Sequence, residues 1–138
     1  MAAKSQIKVD IAIQNELEDL VTELRSTLIT KRLKAVKSLG RLKTPIAVEP
    51  LTKILSDRSR EVRCAVIEAL SLINQPNLGE ILQPLARDKS ADVRIRVAHS
   101  LGSCDNEDAI ESLMTLIRDH RDEVANMAAR SLARHPRA

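Results

Sequence analysis

The sequence has no phenylalanine, tyrosine or tryptophan among its 138 residues, so aliphatic side chains must supply the core. Without aromatic rings, the chain cannot stack single-stranded bases, build a cage for methylammonium groups or anchor an interface through tryptophan. An interaction surface on this protein therefore depends on arginine, methionine and the larger aliphatic residues.

Residues with reactive or metal-binding side chains are scarce. Cys64 and Cys104 are the two cysteines, and neither has a second cysteine or a histidine at metal-ligand spacing. We expect two free thiols in a reducing compartment. No histidine is placed by sequence to activate Cys64, and glycine-rich phosphate loops are missing. The sequence thus predicts no catalytic residue, no metal and no cofactor.

Long apolar runs are missing too. No stretch reaches transmembrane length, and the N-terminus lacks the apolar core of a signal peptide. We therefore expect a cytoplasmic protein without a membrane partner.

What the sequence does contain is a gapless period of 31 residues. The stretch EVRCAVIEAL from Glu61 aligns with DVRIRVAHSL from Asp92 and with EVANMAARSL from Glu123. Two leucine rows recur at this period: Leu20, Leu51, Leu82 and Leu113, and Leu39, Leu70, Leu101 and Leu132. A fixed period of this length is typical of a solenoid, whose stacked units bury their apolar faces against their neighbours.

Each unit is predicted to be a helix, a short turn and a second helix, because apolar residues fall at helical spacing. The predicted helices are 11–27, 30–42, 45–56, 59–73, 76–87, 90–103, 107–118 and 121–134. They pair into units of about 11–43, 44–74, 75–105 and 106–135 within a single domain, 1–138, and residues 1–9 and 136–138 are expected to fray. Pro84 should kink or end the fifth helix early. Thr44, Asn106, Ser59 and Ser90 are the predicted N-caps.

The segment from Ala47 to Leu70, with the pattern AVxPLxxILxDxxxxVRxxVxxAL, resembles the HEAT repeat. More narrowly, it resembles the short HEAT-like repeats named for phycobilisome (bilin) lyases. The resemblance covers about residues 11–135. It implies an all-α fold, a right-handed α-α superhelix (α-solenoid) of four helical hairpins and eight helices.

The resemblance also implies a structural ladder of hydrogen bonds along the stack. Its members here are a turn aspartate and an arginine six positions later, Asp57 with Arg63 and Asp88 with Arg94. The ladder is expected to be incomplete, because Ser26 replaces the first aspartate and Ala125 replaces the last arginine.

In HEAT proteins the second helices line the concave face, and this implies a partner surface. Helical spacing at 100° per residue points one side of these helices away from the buried side. The predicted partner-binding residues there are Leu33, Lys37, Cys64, Ile67, Glu68, Ile95, His99 and Arg130. The alternative for Val36, Ile67 and Ala98 is burial between neighbouring units.

A basic patch lies on the predicted helix 30–42. Residues 31–57 carry seven lysines or arginines against two acids, and the patch consists of Lys31, Lys34, Arg41 and Lys43. A surface that tracks a duplex would continue along the solenoid, whereas this patch ends after one unit. The acidic first helix is also expected to neutralise part of it.

These observations favour a non-catalytic scaffold or adaptor that binds another protein or peptide, as a monomer or weak homo-oligomer. One alternative is an accessory subunit of a bilin lyase or of phycobilisome turnover, on the resemblance alone. The other is binding of nucleic acid or an acidic protein through helix 31–43, with nucleic acid the less favoured partner.

Overall fold

The computed structural model describes residues 2–135, whose regular elements are all helical and include no strand. The eight α-helices are α1 (Ala2–Glu23), α2 (Ile29–Leu42), α3 (Val48–Lys53), α4 (Arg60–Ile73), α5 (Leu78–Leu82), α6 (Ala91–Leu101), α7 (Glu107–Leu116) and α8 (Asp122–Arg134). Short 3-10 segments, Pro45–Ala47 and Gln83–Arg87, precede α3 and follow α5. The predicted all-α solenoid architecture with eight helices is confirmed.

The first helix departs from its predicted start. It begins at Ala2 rather than at residue 11, so most of the segment expected to fray is helical. None of the residues of α1 is fully buried, because Leu17, Leu20 and Val21 are only half-buried and the first half is exposed. The predicted fraying at 136–138 lies outside the described residues.

Three of the four predicted N-cap side chains accept a hydrogen bond at the start of their helical segment. The Asn106 side chain accepts a hydrogen bond from the Ala109 N–H (2.9 Å), and the Ser59 hydroxyl accepts one from the Val62 N–H (3.4 Å). Thr44 caps the 3-10 segment before α3. Ser90 occupies the N-cap position of α6 as predicted, but its hydroxyl accepts no hydrogen bond from the helix. Its N–H donates to the Asp88 carboxylate at 2.8 Å, as the Ser59 N–H does to Asp57.

Pro84 has the predicted effect on the fifth helix. The α-helix ends at Leu82, and the chain continues as the 3-10 segment Gln83–Arg87. Proline lacks the backbone N–H that an α-helix interior requires, and its ring clashes with the preceding turn. The first helix of the third unit is therefore shorter and more irregular than that of the fourth.

The units stack so that second helices pack on second helices: α2 against α4, α4 against α6, and α6 against α8. The leucines of both rows are fully buried in the middle of the stack, as at Leu51, Leu70 and Leu101. Leu20 and Leu132, at the ends of their rows, are half-buried. Each unit thus covers the apolar face of its neighbour, which is the basis of solenoid stability.

Gly40 lies where α2 packs closely against α4. A Cβ atom added at Gly40 in α2 would lie 2.9 Å from both Cα and Cβ of Ala69 in α4. Because one of these atoms belongs to the backbone, neither helix can accommodate a side chain at position 40 without shifting. Glycine at this position therefore sets the spacing between α2 and α4.

The ladder connects successive units instead of closing within each one. Arg63 Nε and Nη2 donate to the two carboxylate oxygens of Asp88 in the next unit, at 2.9 and 3.0 Å. Its Nη1 donates to the backbone carbonyl of Asp57, six residues earlier, at 2.8 Å. The expected partners Asp57 and Arg63 therefore do touch, but through the backbone, while the carboxylate of Asp57 binds Arg32 of the preceding unit (2.9 Å).

The ladder has one rung between each pair of adjacent units: Arg32–Asp57, Arg63–Asp88 and Arg94–Asp119. This corrects the expectation that the ladder is incomplete at Ser26 and Ala125, because neither position is needed for a rung between the four units. Ser26 keeps the second role of the turn residue. Its hydroxyl accepts a hydrogen bond from the Leu28 N–H at 3.2 Å, as the Asp57 carboxylate does from the Ser59 N–H.

Candidate functional site

A groove on the second-helix face brings together residues of three successive units. It has a volume of about 430 Å³ and lies on α2, α4 and α6. Five of the eight predicted partner-binding residues line it: Leu33, Lys37, Cys64, Glu68 and Ile95. We call this cavity the central groove.

The floor of the central groove is apolar. Leu33, Cys64 and Ile95 are half-buried and pack against the core, because each lies 31 residues from the next and the second helices run side by side. Partly buried aliphatic side chains in a cavity still expose apolar surface that a ligand can remove from water. The floor can therefore contribute binding free energy to an aliphatic group of a partner.

Two ion pairs between α4 and α6 form the walls. The Arg96 guanidinium contacts the Glu68 carboxylate, and Arg60 Nη1 lies 3.7 Å from Asp92 Oδ2. The pairs are well exposed, with Arg60 and Asp92 each 65% exposed, so each contributes little to folding. The same side chains can exchange partners with charges of either sign on a ligand. Charged walls around an apolar floor are suited to an amphipathic segment.

Burial keeps the Cys64 thiol neutral at physiological pH. Burial raises the pKa of Cys64, the charge of Arg96 opposes this, and Asp92 and Glu68 reinforce it. For Cys104, burial raises the pKa to about 11. Since the thiolate is the reactive form, neither cysteine is activated as a nucleophile, and Cys64 acts as a small apolar part of the floor.

The remaining predicted contacts are divided between a second cavity and the core. His99 and Arg130 line a cavity of about 450 Å³ between α6 and α8, together with Met127, Ala133 and Arg134. Ile67 is fully buried, and so are Val36 and Ala98. The expectation that Ile67 contacts a partner is therefore wrong, since close packing of α4 between its neighbours removes this row from the surface.

Several residues of these cavities were not predicted as partner contacts. Arg60, Asp92 and Arg96 line the central groove, and Met127 and Arg134 line the second cavity. Both ion pairs of the groove join residues 28 or 32 positions apart, close to the period of 31. Opposite charges at separations near the period are the sequence signal that identifies such pairs.

The basic patch is exposed on α2 and just beyond its end. Lys31, Lys34, Arg41 and Lys43 are all exposed, and none forms an ion pair with another residue of 2–135. Within the described residues, no acid of α1 forms a direct ion pair with these four cations. Arg32, which lies among these cations in the sequence, is buried and bound to Asp57 instead.

The described residues hold neither a metal-ligand cluster nor a helix able to span a membrane. No three histidine, cysteine, aspartate or glutamate side chains in 2–135 lie close enough together to hold a metal ion. Within the same residues, none of the helices combines the length and the apolarity that crossing a membrane requires.

Comparison with known proteins agrees with the architecture. A family model described as HEAT repeats matches residues 17–94 and 78–136. No curated protein matches the chain. Among solved structures, an engineered protein from the Northeast Structural Genomics Consortium superposes with a TM-score of 0.64 at 24% identity, over 86% of this chain and 62% of its own. The chain thus spans about three fifths of that protein, and the likeness shows the fold alone. The family match extends over most of the sequence, and the chain belongs to the HEAT-repeat family.

Proposed function

We propose that this protein is a non-catalytic scaffold whose central groove holds an amphipathic segment of a partner protein. The observation that carries the proposal is the convergence of Leu33, Cys64 and Ile95 on one cavity with charged walls. These residues come from three units, so a segment bound there would contact most of the stack.

The groove also constrains the chemistry of the partner. Its apolar floor suits one or two aliphatic side chains, and its walls present both signs of charge through Arg60, Asp92, Glu68 and Arg96. A segment with an aliphatic face flanked by mixed charges would satisfy both features. His99 and Arg130 extend the proposed surface toward α8, where Met127 supplies an adaptable apolar contact.

Selection of peptides from a displayed library tests this function. We expect binders with an aliphatic face, and we expect Ile95→Asp to weaken them at least about tenfold, because it places an unpaired charge in the apolar floor. Ile46→Asp is the matched control, since Ile46 is 71% exposed and lies outside the groove. Circular dichroism of both variants checks that they remain folded.

Alkylation of Cys64 provides an independent readout. The thiol lies on the groove floor, so a bound peptide should slow its reaction with iodoacetamide at alkaline pH. Peptides that bind Ile95→Asp as well as wild type, and leave Cys64 alkylation unchanged, would place the binding surface elsewhere.

A second candidate is recognition of an acidic partner by the basic patch on α2, favoured by the exposure of its four cations. A salt titration of binding to duplex DNA and to an acidic protein separates the two ligands, because phosphate contacts give a steep dependence on salt. An accessory role beside a bilin lyase rests on the narrower resemblance alone. Absence of an absorbance change on adding a bilin would argue against it.

A further inference from the structure

The loops between the two helices of units two, three and four lie along one edge of the stack. In each loop, the ladder carboxylate turns inward to an arginine of the preceding unit. The residue after it is exposed and basic or ionisable: Arg58, Lys89 and His120. All three line one cavity, and we call this row of three the turn edge.

The cavity at the turn edge is polar, with a volume of about 540 Å³ and an excess of cations. Its two ladder arginines are neutralised by bidentate carboxylates, and Arg60 lies 3.7 Å from Asp92. Arg58 and Lys89 form no ion pair with any residue of 2–135. Their charges are therefore available to an anionic ligand.

An apolar cavity adjoins the same two cations. It has a volume of about 670 Å³ and lies between α3 and the 3-10 segment that follows α5. Its apolar lining residues are Leu55, Ile81, Pro84 and Leu85. We call this cavity the apolar notch. Arg58 and Lys89 line both the apolar notch and the polar cavity. These two cations, which form no ion pair within residues 2–135, therefore lie where the two cavities meet.

We propose that the turn edge binds a short acidic peptide segment carrying one aliphatic side chain. The aliphatic group enters the notch beside Leu55 and Ile81, where it leaves water. Carboxylates on either side of it pair with Arg58 and Lys89, and the arginine can bind a carboxylate in a bidentate manner. This surface is separate from the central groove and does not depend on the function proposed for it.

The combination of the two cavities favours a peptide over nucleic acid. A nucleic acid offers phosphates to Arg58 and Lys89 but no flexible aliphatic chain for the notch. The protein has no aromatic side chain on which unpaired bases could stack. An acidic peptide supplies both the charge and the apolar anchor that the turn edge accommodates.

The probe is a fluorescein-labelled decapeptide of aspartates and glutamates with one central leucine, measured by anisotropy with the full chain. Its matched control carries serine in place of leucine. We expect the leucine peptide to bind at least about fivefold more tightly, because the leucine side chain leaves water in the apolar cavity whereas serine gains nothing there.

Charge reversal on the protein tests whether the peptide carboxylates pair with Arg58 and Lys89. Arg58→Glu combined with Lys89→Glu should weaken the leucine peptide at least about tenfold. The control, Lys34→Glu with Lys43→Glu, makes the same change in net charge on α2 and just beyond its end, and should alter binding by less than about threefold. All four residues are exposed, so both variants should fold, which circular dichroism verifies. Ile95→Asp should leave this peptide unaffected.

Three results would each overturn the proposal. Equal weakening by the two charge reversals would mean that only net charge attracts the peptide. Equal affinity for the leucine and serine peptides would mean that the notch is not used. Tighter binding of a duplex oligonucleotide than of the peptide, with loss in the Arg58→Glu and Lys89→Glu variant, would assign the edge to nucleic acid instead.

Discussion

The buried ion pair between Arg63 and Asp88 illustrates how single residues hold this stack together. The two side chains are 5% and 8% exposed, and each also bonds to backbone groups of its own loop. The loop between two helices is thereby closed by the same two side chains that join one unit to the next. Removing one partner leaves the other charge buried without compensation.

We predict that Asp88→Ala lowers the free energy of unfolding by about 3–5 kcal/mol, measured in urea, because it leaves the Arg63 guanidinium unpaired. The double variant Arg63→Met with Asp88→Ala should be more stable than Asp88→Ala alone. The control pair is Arg60→Met with Asp92→Ala, which removes an ion pair 65% exposed on both sides and should cost less than about 1 kcal/mol. Simple additivity of the two ladder substitutions would contradict the coupling.

Asp119 makes the free energy of unfolding vary with pH in the acidic range. Burial alone would raise the pKa of Asp119, but hydrogen bonds from Arg94 and the Arg121 N–H, with the charge of Arg94, hold it below its ordinary value of 3.8. Above that value, the carboxylate stabilises the fold fully. As pH falls below 3.8, the unfolded chain takes up a proton that the folded chain does not, and stability is lost until the folded pKa is passed.

We therefore predict that Asp119→Asn reduces the slope of unfolding free energy against pH in this acidic window, and that the variant is less stable at neutral pH. Chemical denaturation at a series of pH values measures both. Asp122→Asn, an exposed residue in the next turn, is the control and should keep the wild-type slope. An unchanged slope in Asp119→Asn would show that other carboxylates govern the acid response.

At the scale of the helices, the spacing of α2 and α4 depends on one missing side chain. We predict that Gly40→Ala destabilises the protein by about 1–3 kcal/mol, although alanine is the better helix former by about 1 kcal/mol. The added Cβ would lie 2.9 Å from the Ala69 Cα, so the helices must move apart.

Thermal or urea unfolding measures the loss at Gly40. Lys34→Ala on the exposed side of the same helix is the control, with an expected change within about 0.5 kcal/mol. If Gly40→Ala were as stable as wild type, the contact between α2 and α4 would be more adaptable than its geometry indicates.

At the scale of the whole molecule, burial increases from the ends of the stack to its middle. Residues 2–16 of α1 are all exposed, whereas α4 has eight buried residues. In a solenoid, each unit is stabilised chiefly by its neighbours, so local opening should follow this gradient.

Hydrogen exchange followed by mass spectrometry should show this gradient directly. We expect amides of residues 2–16 to exchange fastest, α8 to be intermediate and α4 to be the slowest. Protection of residues 2–16 equal to that of α4 would mean that another surface covers α1.

Much of the fold follows from the period of 31 residues. Six of the eight α-helices begin within two residues of the predicted start, and the 3-10 segment that precedes α3 begins at the predicted Pro45. Caps and prolines are local signals that act within a turn of helix. The start of α1 was missed because its exposed apolar residues, such as Ile7 and Ile11, show no single buried face. Periodicity identifies only helices that bury one side.

The candidate site was predictable as a row but not as a cavity. Leu33, Cys64 and Ile95 follow from the period, whereas Ile67, about one turn along α4 from Cys64, is fully buried where α4 packs between α2 and α6. Burial at that position depends on interhelical distance, which no spacing along one helix contains. The charged residues of the groove walls were missed for the same reason, because Arg96 contacts Glu68 of the preceding unit and not a residue of its own helix.

The sequence by itself determined the helices, their order, the leucine rows and the residue types of the ladder, since each of these depends on neighbours within one unit or on the repeat. The tertiary structure alone decided which partners meet: Arg63 with Asp88 of the next unit, Ile67 in the core, and Arg58 and Lys89 between two cavities. The physical reason is that a repeat fixes which residues are equivalent, whereas the offset and distance between stacked units decide which of them touch.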